Sequence, residues 1–242
     1  MTRHINLLRV SMHILVGTSG WSYKQWKGFF YPADLPADDM LRYYATRLPT
    51  VEINNSFYRI PRESVLLDWA AQVPAEFRFV LKASRRITHL NRLADTDDSL
   101  DYFLRTVNVL AEKLGPTLFQ CPPTLRKNLE LLENFLAKVP RTWRAALEFR
   151  HDSWFDDEVY QALQAHDIAL VAVDEDEGAT PLVPTASWGY LRLRRTEYGE
   201  EELRDWVERV RSQPWREAYL FLKHDEDSPA GPDAAVRLAG MV

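Results

Sequence analysis

Short runs of β-branched and other apolar residues alternate along the chain with longer segments whose apolar residues recur every three or four positions. The runs predict strands at 14–18, 51–56, 77–83, 117–120, 145–150, 168–174, 188–194 and 218–223. The intervening segments predict helices at 38–48, 63–73, 98–114, 128–139, 156–166, 200–211 and 233–241. The third is the most sharply patterned. Leu100, Phe103, Leu104, Val107 and Leu110 share one stripe, Asp97 or Asp98 is placed to cap its start, and Gly115 with Pro116 to stop it. Eight strands alternating with helices predict an α/β protein closed as a single (β/α)8 TIM-type barrel. The barrel domain is expected over 13–242, after an N-terminal extension at 1–12. Between the sixth and seventh strands the stretch GATPLVPTA carries two prolines, so the helix there is expected to be missing or irregular.

Composition narrows the class. The 242 residues are 46% apolar, enough for one full core, which excludes global disorder. With 9 Gly, 14 Pro and a single Cys, collagenous, low-complexity and disulfide-stapled architectures are excluded as well. No apolar run approaches the ~20 residues of a membrane span, and the opening MTRHINLLRVSMHILVG lacks a separate signal-type apolar region and cleavage site. A cytoplasmic protein with no membrane partner is expected. The net charge of -5 argues against an overall basic coat for nucleic acid but leaves room for a local basic site. GTSGW after the first strand is not GxGxxG, and no phosphate-binding GxxxxGK[ST] occurs, so no cofactor is expected.

Barrel strands are apolar toward both lumen and helices, so charges within them carry information. Here they fall near the C-terminal ends, the active-site face of this architecture: Glu52 with Asn54, Lys82, Gln120, Glu148 with Arg150, Asp174, Arg192 with Arg194, and Lys223. A buried charge must find a partner or a ligand. Counted as one inward set, Glu52, Glu148 and Asp174 face Lys82, Arg150, Arg192 and Lys223, a small cationic excess that favours an anionic ligand. The alternative is a self-paired network that holds the barrel and binds nothing.

Aromatic residues cluster after the same strands. Trp21 and Tyr23, nearest the end of the first, are candidates to stack on a sugar or base, with Tyr58 after the second; packing as a lid is the alternative. His89, His151 and His224 stand beyond strands three, five and eight, and His151 and His224 are the candidates for general acid or base. A metal built from these histidines with Glu52, Glu148 and Asp174 is conceivable, but no HExxH, paired HxH or Cys/His spacing supports it, and no metal ligands are assigned. Cys121, before two prolines, reads as a buried inert thiol.

Six segments, GTSGWSYKQWKGFFYP, VEINNSFYRIP, FRFVLKASRRITH, LGPTLFQCPP, LEFRHDSWF and YLFLKHDEDSPAGP, resemble in sequence and order the YecE-like family, domain of unknown function 72. The resemblance runs from about Ile14 to the C-terminus and implies a TIM-barrel-like fold, without an established reaction to transfer. It marks Ser19, Trp21, Tyr23, Glu52, Asn54, Tyr58, Lys82, Arg86, Gln120, Glu148, Arg150, His151, Arg192, Lys223 and His224 as family positions, while Arg194 stands where many members carry His.

Taken together, the residues predict an enzyme for a phosphorylated or nucleic-acid-derived substrate, a phosphoester hydrolase or a sugar-phosphate enzyme. Glu148 or Glu52 is expected as base, with Lys82, His151 and His224 the other catalytic groups. Trp21, Tyr23, Asn54, Tyr58, Arg86, Gln120, Arg150, Asp174, Arg192 and Lys223 are expected to hold substrate. Two alternatives are a metal-dependent phosphodiesterase or endonuclease, and a non-catalytic binder of single-stranded nucleic acid or a phosphorylated metabolite.

Overall fold

The computed structural model describes residues 12–223 and 230–242. Eight parallel strands follow the apolar runs: β1 (His13–Ser19), β2 (Thr50–Ile53), β3 (Arg78–Lys82), β4 (Leu114–Gln120), β5 (Ala145–Glu148), β6 (Ala169–Glu175), β7 (Trp188–Leu193) and β8 (Glu217–Leu222). Each pairs with the next, and β8 returns to β1 from His13↔Glu217 to Thr18↔Leu222, closing an eight-stranded parallel, TIM-like barrel. Around it run α1 (Met40–Tyr44), α2 (Glu63–Gln72), α3 (Asp97–Val107), α4 (Leu129–Lys138), α5 (Asp157–Gln164), α6 (Glu200–Arg211) and α7 (Ala230–Ala239). No helix among the described residues is long and apolar enough to cross a membrane.

Closure divides the apolar side chains into two cores. Leu15, Val80, Leu118, Ala146, Val171, Tyr190 and Phe221 fill the lumen, while their strand neighbours Val16, Leu81, Phe119, Leu147, Leu191 and Leu220 pack outward against the helices. This alternation sets the site. Two positions on from Val80, Leu118, Ala146 and Tyr190, the lumen phase reaches Lys82, Gln120, Glu148 and Arg192 at the C-terminal ends.

Several boundaries differ from the sequence reading. β2 ends at Ile53, because the chain turns into a short 3-10 segment at Asn55–Phe57. In that turn Ser56 Oγ donates to the Ile53 and Lys82 carbonyls at 2.9 and 2.7 Å, tying β2 to β3. α3 starts after Thr96, with Asp97 and Asp98 in its first turn, where their charge suits the helix dipole. It ends at Val107 and passes into a 3-10 segment, Asn108–Lys113, in which Ala111 takes φ 49°. Gly115 and Pro116 lie inside β4 and do not stop the helix.

No helix joins β6 to β7. Gly178–Ala179 pairs back on the end of β6 as a two-residue antiparallel strand, and the chain from 180 to 187 runs without helical or strand pairing. This extended segment does the work of a helix by other means. Leu182 and Val183 pack on the shell core, and buried Thr185 accepts from Leu170 N at 2.7 Å and donates to the Ile168 carbonyl at 2.8 Å. It serves where β5 and β6 share only the pairs Ala146↔Ala169 and Leu147↔Leu170.

Asp174 is a correction to the inward tally. Because Val173 fills the lumen, its neighbour points to the helix shell, where Asp174 Oδ2 accepts from Tyr198 Oη at 3.0 Å and from Trp206 Nε1 of α6 at 3.1 Å. Arg195 pairs with the other oxygen at 2.9 Å. The carboxylate anchors α6 and does not reach the barrel mouth. Asp174→Leu is expected to lower unfolding stability by about 2–4 kcal/mol, since it strands two buried donors and a partly buried guanidinium. Chemical denaturation would show the loss, and ligand binding at the mouth would be unchanged.

Candidate functional site

At the C-terminal end of the lumen one guanidinium holds two carboxylates. Arg192 Nη2 donates to Glu52 Oε1 and Nη1 to Glu148 Oε2, each at 2.8 Å, and all three side chains are buried. Glu52 also accepts from Ser19 Oγ and Asn54 Nδ2, both at 2.9 Å, and from Tyr190 Oη at 2.6 Å. Glu148 accepts from Gln120 Nε2 at 2.8 Å and Arg150 Nε at 3.0 Å. Such saturation makes a buried ion triad tolerable.

The same bonds settle the protonation of both acids. Burial pushes the Glu52 carboxyl up, but Arg192 and the hydrogen bonds from Tyr190, Asn54 and Ser19 outweigh it, leaving the group below its ordinary value. For Glu148 burial is likewise overcome by Arg192 and Arg150, and the group is held down to about 2. Neither acid resembles the expected general base, whose pKa should lie near the working pH. They hold cations in place.

Lys82 is the exception in the ring. Its Nζ donates to Gln120 Oε1 at 2.8 Å and lies 4.2 Å from the centre of the Phe57 ring, while the side chain is only 9% exposed. Among the described residues it forms no ion pair, because Glu52 and Glu148 are taken by Arg192 and Arg150. Burial pushes its ammonium down to about 8, with Arg192 adding to the effect and the two carboxylates opposing it. Arg150 is 38% exposed and spends only Nε on Glu148. Neither of its terminal nitrogens has a partner among the described residues.

His89 reports the potential at this rim. Its ring meets Phe57 edge-on at 4.8 Å and its Nδ1 pairs with Thr88 Oγ1 at 2.9 Å. Burial first, then Lys82, Arg150, Arg85 and Arg92, lowers its pKa, and all four of those side chains are cationic. Arg194 adds a further cation near Arg192 but is paired with Glu175 at 3.2 Å.

Of the sequence-derived candidates, Glu52, Asn54, Lys82, Gln120, Glu148, Arg150 and Arg192 are brought together. Trp21 and Tyr23, both half-buried, pack on neighbouring aromatic rings. Trp21 meets Trp69 of α2 edge-on at 4.8 Å, and Tyr23 packs on Trp26 and donates to the Ser19 carbonyl at 2.9 Å. His151 Nδ1 accepts from Ser153 N at 3.2 Å, capping a short turn. Lys223 lines a small crevice with Arg195, Tyr198 and Gly231, and its charge bears on Asp176. Tyr58 and Arg86 line an outer groove with Arg59, Arg62 and Tyr102. His224 lies outside the described residues. Tyr190 and Phe57 join the site although the sequence reading does not single them out. The signal for Tyr190 is its period-two spacing from Arg192.

No three His, Cys, Asp or Glu side chains stand together among the described residues as a metal site would need. Cys121 is fully buried, and burial pushes its thiol up, in keeping with an inert side chain.

Two stability outcomes follow from these charges. Arg192→Met leaves buried Glu52 without an ion-pair partner and Glu148 with Arg150 alone, and should cost about 3–5 kcal/mol in urea unfolding. Lys82→Met should have the opposite sign. The folded chain holds this proton less tightly than the unfolded one, so the penalty is complete below pH 8 and disappears above the ordinary lysine value of 10.5. The variant should gain about 1–3 kcal/mol at pH 7, less at pH 10.

Comparison with known proteins places this arrangement in a family. The family described as "Protein of unknown function DUF72" matches residues 15–242. The UPF0759 protein YecE of Escherichia coli K12 is 30% identical over 143 residues, 59% of this chain and 50% of that protein, so the match spans half the relative's length. The UPF0759 protein YunF of Bacillus subtilis is 25% identical over 232 residues, covering 88% of this chain and 79% of that one. A crystal structure of a DUF72 family protein from Thermotoga maritima superposes with a TM-score of 0.84 at 29% identity, covering 95% of this chain and 98% of that chain. One from Enterococcus faecalis, at 21% identity and a TM-score of 0.79, shares the fold over 94% of each chain. With the family match running from the first barrel strand to the last residue, the chain belongs to the DUF72 family, that of the UPF0759 proteins YecE and YunF.

Proposed function

We propose that the barrel mouth binds an anionic substrate, phosphorylated or nucleic-acid-derived, and acts on it by acid–base and electrostatic catalysis. Phosphoester hydrolysis and sugar-phosphate isomerisation are the reactions that use such parts. Excess positive charge among the described residues carries the reading: there Arg192, Arg150 and Lys82 face two carboxylates, each already hydrogen-bonded to Arg192 and to other donors. A ligand oxyanion would supply further negative charge and accept from the terminal nitrogens of Arg150, which have no partner among the described residues. The roles differ from the sequence expectation. Glu52 and Glu148 act as positioning residues for Arg192 and Arg150, while Lys82 carries the exchangeable proton. A phosphorylated substrate and one buried thiol accord with a cytoplasmic protein.

A second reading, binding of single-stranded nucleic acid, draws on the outer groove of about 490 Å³ that Tyr58, Arg59, Arg62, Arg86 and Tyr102 line. Tyr58 is 74% exposed there, an open ring face beside three guanidinium groups. It predicts salt-sensitive oligonucleotide binding that Tyr58→Ala weakens, without turnover.

Calorimetric titration with inorganic phosphate and with phosphorylated sugars tests the first reading. Arg150→Ala should weaken binding at least tenfold, and higher salt should weaken it for the parent chain. Lys82 attracts an anion only while protonated, so affinity should fall as pH rises through about 8. Phosphate binding that is absent, or indifferent to both Arg150 and pH, would sink this reading.

A further inference from the structure

We infer that Lys82 Nζ is a nucleophile that condenses with the carbonyl carbon of a phosphorylated aldehyde or ketone. The inference rests on the anion-binding reading above and narrows its substrate class.

The geometry is that of an amine kept from serving as a counter-ion. Lys82 ends β3 in the lumen phase, at the barrel face where this fold builds its active sites. Arg192 and Arg150 hold the two neighbouring carboxylates, so the only polar partner of Nζ among the described residues is the neutral Gln120 amide. The Gln120 Nε2 donates to Glu148, which turns its Oε1 toward Lys82 and fixes the amine at 2.8 Å. Lys82 has no carboxylate partner of its own among the described residues and is only 9% exposed. The guanidinium groups of Arg192 and Arg150 lie close enough to bear on its charge.

Those neighbours have a chemical effect. Desolvation together with adjacent guanidinium groups raises the fraction of free amine at neutral pH, which is how a lysine nucleophile is activated. The charged side chains bearing on Nζ are Arg192 from β7, Glu148 and Arg150 from β5 and its end, and Glu52 from β2; His89 lies within the reach of its charge.

The step balances without a further reagent. The Nζ lone pair attacks the carbonyl carbon, the C–N bond forms as the C=O π bond breaks, and a proton passes to the oxygen. Loss of that oxygen as water gives a protonated imine; overall, amine, carbonyl and one proton yield iminium and water. His89, which packs on the same Phe57 ring, is the histidine to which the inference gives the proton relay. The Phe57 face that meets the ammonium would meet the iminium as well, since the charge is retained. Arg150 would take the substrate's phosphate.

Borohydride trapping reads this directly, because hydride converts an imine to a stable secondary amine. The full chain is incubated with glyceraldehyde 3-phosphate or with dihydroxyacetone phosphate, reduced, and examined by intact mass and peptide mapping. One adduct is expected at Lys82, forming at least tenfold faster than with unphosphorylated glyceraldehyde, and faster as pH rises toward 8. Lys82→Met and Lys82→Arg should both lack it while remaining folded. Arg150→Ala should keep the adduct but lose the preference for the phosphorylated probe. Labelling spread over surface lysines, or no adduct at Lys82 with either phosphorylated probe, overturns the inference. If inorganic phosphate still binds in that case, the anion site stands and only the covalent step is refuted. If phosphate binding is also absent, the functional reading fails with it.

Discussion

Everything at the barrel mouth depends on how Arg192 is compensated. A guanidinium buried in a lumen otherwise filled by Leu15, Val80, Leu118 and Phe221 would be prohibitively costly alone. It is accommodated because its planar fork reaches Glu52 on one wall and Glu148 on the other, and because both acids take further donors, Glu52 from Ser19, Asn54 and Tyr190 and Glu148 from Gln120 and Arg150. The arrangement fixes three strands relative to one another. It also consumes the negative charge of the lumen, so the remaining cations, Lys82 and Arg150, are left facing the opening. The bonds that hold the strands and the charge proposed to meet a ligand therefore share one origin.

The division of labour follows from burial. The acids deep in the ring are heavily hydrogen-bonded, although Arg192 Nε has no partner among the described residues; Arg150, toward solvent, keeps more unused capacity. Glu52 shares its carboxylate among four donors, whereas Arg150 engages one nitrogen of three. Arg150, at the rim, is positioned by its bond to Glu148 in the ring.

Much of this was legible in the sequence, for a physical reason. Charges in strands that ought to be dry on both faces must converge on something, so Glu52, Lys82, Gln120, Glu148 and Arg192 could be assigned to one mouth from their phase and position alone. Asp174 shows where that reasoning breaks. A one-residue change of phase turns a side chain to the opposite face, and only the lumen packing of Val173 reveals that Asp174 belongs with Trp206 and Tyr198. Helix ends were blurred for a related reason. Gly115 and Pro116 read as a stop, yet the α3 helix had already passed through a 3-10 segment and the strand register absorbed both residues. The aromatic loop could be read two ways because rings suited to stacking on a ligand are equally suited to packing on one another, as Trp21 on Trp69 and Tyr23 on Trp26 do. Partner choice among the charges lay beyond the sequence altogether, since which cation neutralises Glu148 is decided by distances across the lumen.

The helix-free crossover bears on how the wall breathes. With two residue pairs between β5 and β6, the ladder is thinnest there, and a cylinder held by uneven seams parts first at its weakest. Glu148 stands on one side of that seam and Arg192, beyond β6, on the other, so their bond acts as a clasp across the gap. Amide exchange at Leu147 and Leu170 is therefore expected to respond to the electrostatics of the mouth. Any occupant that draws on Arg150 alters what Glu148 has left for Arg192, and the thin seam is the part of the wall whose opening rate registers the change.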